Sequence, residues 1–133
     1  MKIYWPRLLL AIFFITAGIL HFIFPVQYAS TIPPWLPWHE ELVIISGLCE
    51  IAGGVGVLFR STRFAAGIGL ILLSLAVLPA NVQMLLDAQA ANKANWIIAL
   101  FWLRLPLQLL LITWISRAIR YGEQRKPKST ARD

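Results

Sequence analysis

Apolar residues fill four stretches of this chain, with polar residues mostly at their ends: Trp5–Phe24, Leu42–Phe59, Phe64–Leu86 and Trp96–Ile115. A run of about 20 residues, at ~1.5 Å rise per residue, matches a hydrocarbon core of ~30 Å. Membrane-spanning strands need only ~9–11 residues and alternate, so length argues for helices where uniform hydrophobicity hides the period. The pattern predicts helices at about 5–24, 42–59, 64–86 and 96–118 within one domain over 1–121, and a basic, disordered tail over 122–133. Pro6 falls in the first turn of the first helix, where a missing N–H is harmless, and Pro25 ends it. The first run is longer than the ~7–15 apolar residues of a signal peptide, and Ala29-Ser30-Thr31 is a poor cleavage site, so it reads as a retained helix.

The connections set the order of the spans. Arg60-Ser61-Thr62-Arg63 is short enough to force an antiparallel hairpin between runs two and three. A polar stretch, Asp87 to Asn95, joins runs three and four. The longest connection, Pro25 to Glu41, contains Ile32-Pro33-Pro34-Trp35-Leu36-Pro37-Trp38, too proline-rich for a helix and suited to the membrane interface as a lid or an anchor. Trp5, Trp35, Trp38, Trp96 and Trp114 fall at or near segment ends, where interfacial belts place tryptophan.

Composition supports the same class. Of 133 residues, 59% are hydrophobic and 14% charged, and the mean hydropathy is +0.70, far from a water-soluble surface. The net charge of +6 is concentrated in Arg117, Arg120, Arg125, Lys126, Lys128 and Arg132, after the last apolar run. A basic segment beside a membrane helix sets topology or meets anionic lipid. No recognition motif accompanies it, so nucleic acid is not an expected partner. Lys2, Arg7, Arg60 and Arg63 share the side of the tail, whereas the other two loops hold only Lys93 with Glu40, Glu41 and Asp87. The expected fold is all-α: an integral membrane four-helix bundle with both termini cytoplasmic and the Pro/Trp-rich loop outside.

The chemistry lies in the polar residues inside the spans. Counting from the outer ends at ~1.5 Å per residue, His21 lies ~6 Å deep, Ser46 ~8 Å, Asn81 ~9 Å, and Glu50 and Arg104 both ~13 Å. A lone charge at such depth is costly, roughly 2.5–3.5 kcal/mol, so Glu50 and Arg104 are expected to meet as a buried ion pair. The plain alternative is an ion pair that only orients helices, because buried pairs add little net stability. Ser46, Glu50 and Gly54 share one helical face, as do Arg104 and Gln108. The polar lining is expected from His21, Ser46, Glu50, Asn81, Arg104 and Gln108, and the apolar walls from Phe22, Tyr28 and Trp102. His21 suits proton transfer, or a plain bond to backbone carbonyls near a helix end.

Pro79 frees the carbonyl of Leu75, which Asn81 is placed to satisfy, and Pro106 does the same to Trp102. Gly47, Gly53, Gly54 and Gly56 in run two, with Ala65, Gly67 and Gly69 in run three, allow close helix packing. Cys49 is the only cysteine, which excludes an internal disulfide and a CxxC pair; inside an apolar run it reads as a small buried hydrophobe. No Walker loop, GxGxxG, HExxH or nucleophile elbow is present, and the two histidines lack metal-ligand spacing. No self-contained catalytic motif, metal or tightly bound cofactor is therefore expected.

Ala17-Gly18-Ile19-Leu20-His21-Phe22, Pro25 with Tyr28, Pro33-Pro34-Trp35-Leu36-Pro37, Ser46-Gly47-Leu48-Cys49-Glu50, Gly53-Gly54, Thr62-Arg63, Ala66-Gly67 and Pro79-Ala80-Asn81 stand in an order that resembles the DoxX-like family of small bacterial membrane proteins. The resemblance covers roughly Ala17 to Gln108. It implies a four-helix fold in the bacterial inner membrane and, for some relatives, quinone-linked or disulfide redox work. The single cysteine departs from a thiol-redox role. Three functions follow. The first is an accessory protein with an outward-facing pocket for an amphipathic ligand such as a quinone or lipid. The second is a proton-handling subunit, through Glu50 or His21, of a quinone-linked redox system. The third is a structural or assembly subunit that binds a membrane partner protein or its own copies.

Overall fold

The computed structural model describes residues 4–121. Lys2 and the segment 122–133, with its expected disorder, lie outside the described residues. The chain forms five helices: α1 (Trp5–Ile23), α2 (Pro25–Ala29), α3 (His39–Gly56), α4 (Arg63–Ala90) and α5 (Asn95–Arg120). No strand occurs among the described residues. α1 packs on α3, α3 on α4, α4 on α5, and α5 returns to touch α1, while α3 and α5 make no contact across the middle.

Three helices, α1, α4 and α5, are long and apolar enough to cross a membrane. α3 has 18 residues but carries Glu40, Glu41 and Glu50, which lower its apolar character. Large apolar side chains cover the outside: Ile12, Ile45, Leu72, Leu109 and Leu110 are all more than half exposed. Such a surface is a liability in water and ordinary in lipid.

The helix bounds differ from the sequence reading in two instructive places. α3 begins at His39 and ends at Gly56, about three residues earlier than the apolar run. Glu40 and Glu41 occupy its first turn, where carboxylates favour the positive end of the helix dipole. Its end is set by two side chains from the turn: Thr62 Oγ1 donates to the Gly56 carbonyl at 2.8 Å and Arg63 Nε to that of Val57 at 3.3 Å. The short helix α2 also stands where only a loop was expected. Pro25 starts it, and Ser30 and Thr31 hydroxyls close it onto the carbonyls of Gln27 and Tyr28 at 2.7 Å.

The tight core gathers at one end of the helices. Leu10, Ala11 and Phe14 of α1 meet Val57, Leu70 of α4, and Ile115, Ala118 and Ile119 of α5. Close approach needs missing side chains there. A Cβ on Gly67 would collide with Ile119, and one on Gly54 would lie 3.0 Å from the Ala11 carbonyl oxygen. Gly69 instead has open space within 4 Å, so it is not part of the close-packing face. At this same end Arg7 donates to the carbonyls of Ala118 and Tyr121, Trp114 Nε1 donates to Pro6 O at 3.2 Å, and Tyr4 stacks on Tyr121 at 3.8 Å. Arg7 thus caps the last carbonyls of α5, which no intrahelical N–H can reach.

Candidate functional site

The opposite end of the helices holds a cavity of about 470 Å³. Its wall comes from the second half of α1, from α2 and the start of the Pro-rich loop, from the first half of α3, the second half of α4, and α5. Helical spacing explains the α4 face: Ser74, Val77, Asn81 and Met84 recur at three to four residues and all line the cavity. Arg104, Gln108 and Leu111 do the same on α5, and Val43, Ser46 and Glu50 on α3. Of the expected site residues, His21, Tyr28, Ser46, Glu50, Asn81, Arg104 and Gln108 line this cavity.

Phe22 and Trp102 do not. They are 44% and 55% exposed and point away from it. Phe22 follows His21 directly, and one helical step of about 100° turns it to another face. Trp102 is two residues from Arg104 and is displaced in the same way. Phe13, Phe14, Leu73 and Val77 supply apolar wall in their place.

Glu50 and Arg104 do not form the expected ion pair. The only carboxylate–cation contact within 4 Å among the described residues joins His21 Nδ1 to Glu50 Oε2 at 3.2 Å. The packing gives the reason: α3 and α5 are diagonal across the cavity, whereas α1 lies directly against α3. Matching depth brought the two charges to one cavity but to opposite walls. Arg104 is exposed, and its Nη1 reaches only the Met84 sulfur at 3.7 Å.

His21 is held on three sides. Its Nδ1 lies 2.9 Å from the Ala17 carbonyl oxygen, which can only accept, so Nδ1 carries the proton. The ring stacks on Tyr28 at 4.0 Å between centroids. Glu50 Oε2 is close enough for electrostatic attraction, but the Nδ1 proton is directed to Ala17; this oxygen is buried and has no hydrogen-bond partner in the protein. The side chains of His21 and Glu50 are only 11% and 13% exposed. Tyr28, on α2 outside the long helices, has its phenol pushed above the usual tyrosine range by burial and by the Glu50 carboxylate, with Arg104 opposing.

Asn81 does not serve the Leu75 carbonyl. Its Nδ2 donates to Gln108 Oε1 at 2.6 Å, and Gln108 Nε2 donates onward to the Ser74 carbonyl. The turn before Pro79 is therefore bonded from α5 through a buried Gln108, at the Ser74 carbonyl rather than the Leu75 carbonyl. Ser46 lines the cavity between Val43 and Glu50. Gln27, Thr31, Ser74 and Met84 also line the cavity and were absent from the expected set. Ser74 and Met84 had a signal, being two turns before and one turn after Asn81 on the same face. Gln27 and Thr31 had none, because nothing in a loop pattern shows which way a loop folds.

Cys49 is exposed on the outer surface rather than buried, one residue from Glu50 and so on another face of α3. Among the described residues no group of three or more His, Cys, Asp or Glu side chains is arranged to hold a metal ion.

A family model described as a domain of unknown function (DUF8561) matches residues 10–119. No curated protein and no solved structure matches the chain.

Proposed function

We propose, for a chain that belongs to the DUF8561 family of domains of unknown function, an accessory role in a membrane: its cavity holds a small amphipathic molecule such as a quinone or a lipid. The observation that carries this reading is the cavity itself. At about 470 Å³ it falls within the usual size for small-molecule sites, with apolar walls and a few convergent polar groups. Its polar groups come from four long helices and α2, so a ligand there would touch every element.

The reading includes the placement. We take α1, α3, α4 and α5 as four crossings of a bacterial inner membrane, with both termini in the cytoplasm and the Pro-rich loop outside. The lysine and arginine distribution supports that orientation, and the three apolar helices support the membrane. The Glu charges of α3 face inward or sit at its outer end, which lets a less apolar helix cross among more apolar ones. The DoxX-like resemblance belongs to the same proposal and accords with a small all-helical membrane protein.

The test is to fill the cavity. Ala80→Trp places an indole in the wall lined by Val77, Asn81 and Met84. Native mass spectrometry of purified protein should show bound quinone or phospholipid in the natural chain and its loss in this variant. Equal retention by both would place the ligand elsewhere and end the reading.

One observation favours a second reading. His21 and Glu50 touch inside the cavity, as a proton-handling subunit of a quinone-linked system would need. Glu50→Gln should then slow quinone turnover by the partner oxidoreductase, and unchanged turnover removes this role.

A further inference from the structure

Two opposite charges face one cavity, and neither neutralises the other. Glu50 Oε2 is buried with no hydrogen-bond partner, because the proton of His21 Nδ1 goes to Ala17 O. Arg104, in the middle of an apolar helix, has only a thioether at 3.7 Å and no carboxylate within 4 Å among the described residues. A thioether is a weak acceptor. Charges at membrane depth persist by facing a partner or a polar pathway. Their common partner has to bring a donor to α3 and an anion to α5.

We infer that the cavity takes a phospholipid whose headgroup joins a primary ammonium to a phosphate, with the ammonium at Glu50, the phosphate at Arg104 and acyl carbon along Phe13, Phe14, Leu73 and Val77. This deepens the ligand-binding reading above and rests on it. The opposed walls explain the preference. A quinone offers only carbonyl acceptors and leaves Glu50 without a donor. A quinol donates hydroxyls but leaves Arg104 without an anion. Phosphatidylcholine brings the phosphate, but its quaternary nitrogen has no N–H for Glu50. Phosphatidylglycerol brings hydroxyl donors but no cation. Arginine binds phosphate through paired N–H groups, and ammonium donates three hydrogen bonds to acceptors such as a carboxylate.

The experiment is competitive retention in native mass spectrometry, using phosphatidylethanolamine, phosphatidylcholine and phosphatidylglycerol with identical acyl chains, a ubiquinone analogue, and water-soluble phosphoethanolamine. The wild-type chain should retain phosphatidylethanolamine over phosphatidylcholine by roughly tenfold or more, the effect of one charge-assisted hydrogen bond. Glu50→Gln should abolish that preference, Glu50→Asp should keep most of it, and Arg104→Gln should weaken both lipids together. Equal retention of the two lipids, or a preference that survives Glu50→Gln, overturns the headgroup assignment while leaving cavity binding intact. A ubiquinone analogue that displaces phosphatidylethanolamine overturns it as well. Phosphoethanolamine competing as strongly as the lipid would identify a soluble ligand and overturn the lipid source. Absence of every one of these molecules from the cavity, judged against Ala80→Trp, would defeat the underlying reading instead.

Discussion

At the scale of single residues, the cavity shows how the direction of a side chain outweighs its depth. Glu50 and Arg104 share a calculated height, yet Glu50 meets His21 because α1 is the nearest neighbour of α3. A double-mutant cycle on unfolding in detergent should therefore couple His21→Ala and Glu50→Gln by about 0.6 kcal/mol, the average for polar pairs between membrane helices, and by no more than about 1.7 kcal/mol. The Arg104→Ala and Glu50→Gln cycle should couple less than this. The reverse order would restore the ion pair as the main contact. Tyr28 reports the same field. Burial first, then Glu50, holds its phenol in the neutral form, while Arg104 pulls the other way. Removing the carboxylate in Glu50→Gln should lower the pH at which the Tyr28 phenolate absorbs, and Arg104→Gln should raise it, each read as the difference from the same chain carrying Tyr28→Phe. Because folding favours the protonated phenol, its contribution to stability is full below the ordinary tyrosine value of about 10 and is lost as pH rises through the raised one.

Among elements, helix contacts depend on where side chains are missing. A Cβ on Gly18 would lie 2.6 Å from the Gly47 carbonyl oxygen, a backbone atom with no rotamer to relieve it, so α1 and α3 would have to separate. Gly18→Ala should lower stability by about 1–3 kcal/mol, the usual cost of overpacking. Gly69→Ala should be neutral or slightly stabilising, since its site is open and alanine favours helix. Thermal unfolding of the two variants checks the pair, and equal losses would contradict the packing. A small-residue pattern marks candidates for such contacts but does not separate Gly67, against Ile119, from Gly69, against nothing. Pro79 is similar. The proline break was legible in the chain, but the bond beside it was not: Gln108 reaches the Ser74 carbonyl, next to the one Pro79 frees, from a helix whose register no local pattern sets.

At the scale of the whole molecule, the two ends of the helices do different work. One is closed by a dense apolar core and by Arg7 on the last turn of α5; the other is opened by the Pro-rich connection and holds the cavity. Arg7→Ala should release three donated hydrogen bonds and loosen α1 from α5, lowering the unfolding temperature in detergent while leaving cavity retention of a ligand in place. Topology is testable separately. A reporter fused after Arg120 should be active only in the cytoplasm, and a cysteine replacing Glu41, in a chain carrying Cys49→Ala, should react with a membrane-impermeant thiol reagent added outside intact cells. Labelling only after lysis would reverse the assigned sides.

The all-helical class, the positions of the long apolar segments and the short hairpin turn were determined by the chain itself, because they depend on run length, hydrophobicity and proline, which are local properties. The exposed position of Cys49, the short helix α2, and the choice of His21 over Arg104 as the neighbour of Glu50 were decided only by tertiary structure. Each depends on the angle at which one helix presents a residue to another, and on which helices are adjacent. A sequence in which nearly every position is apolar carries little record of those angles, since the face toward lipid and the face toward protein are made of the same residues.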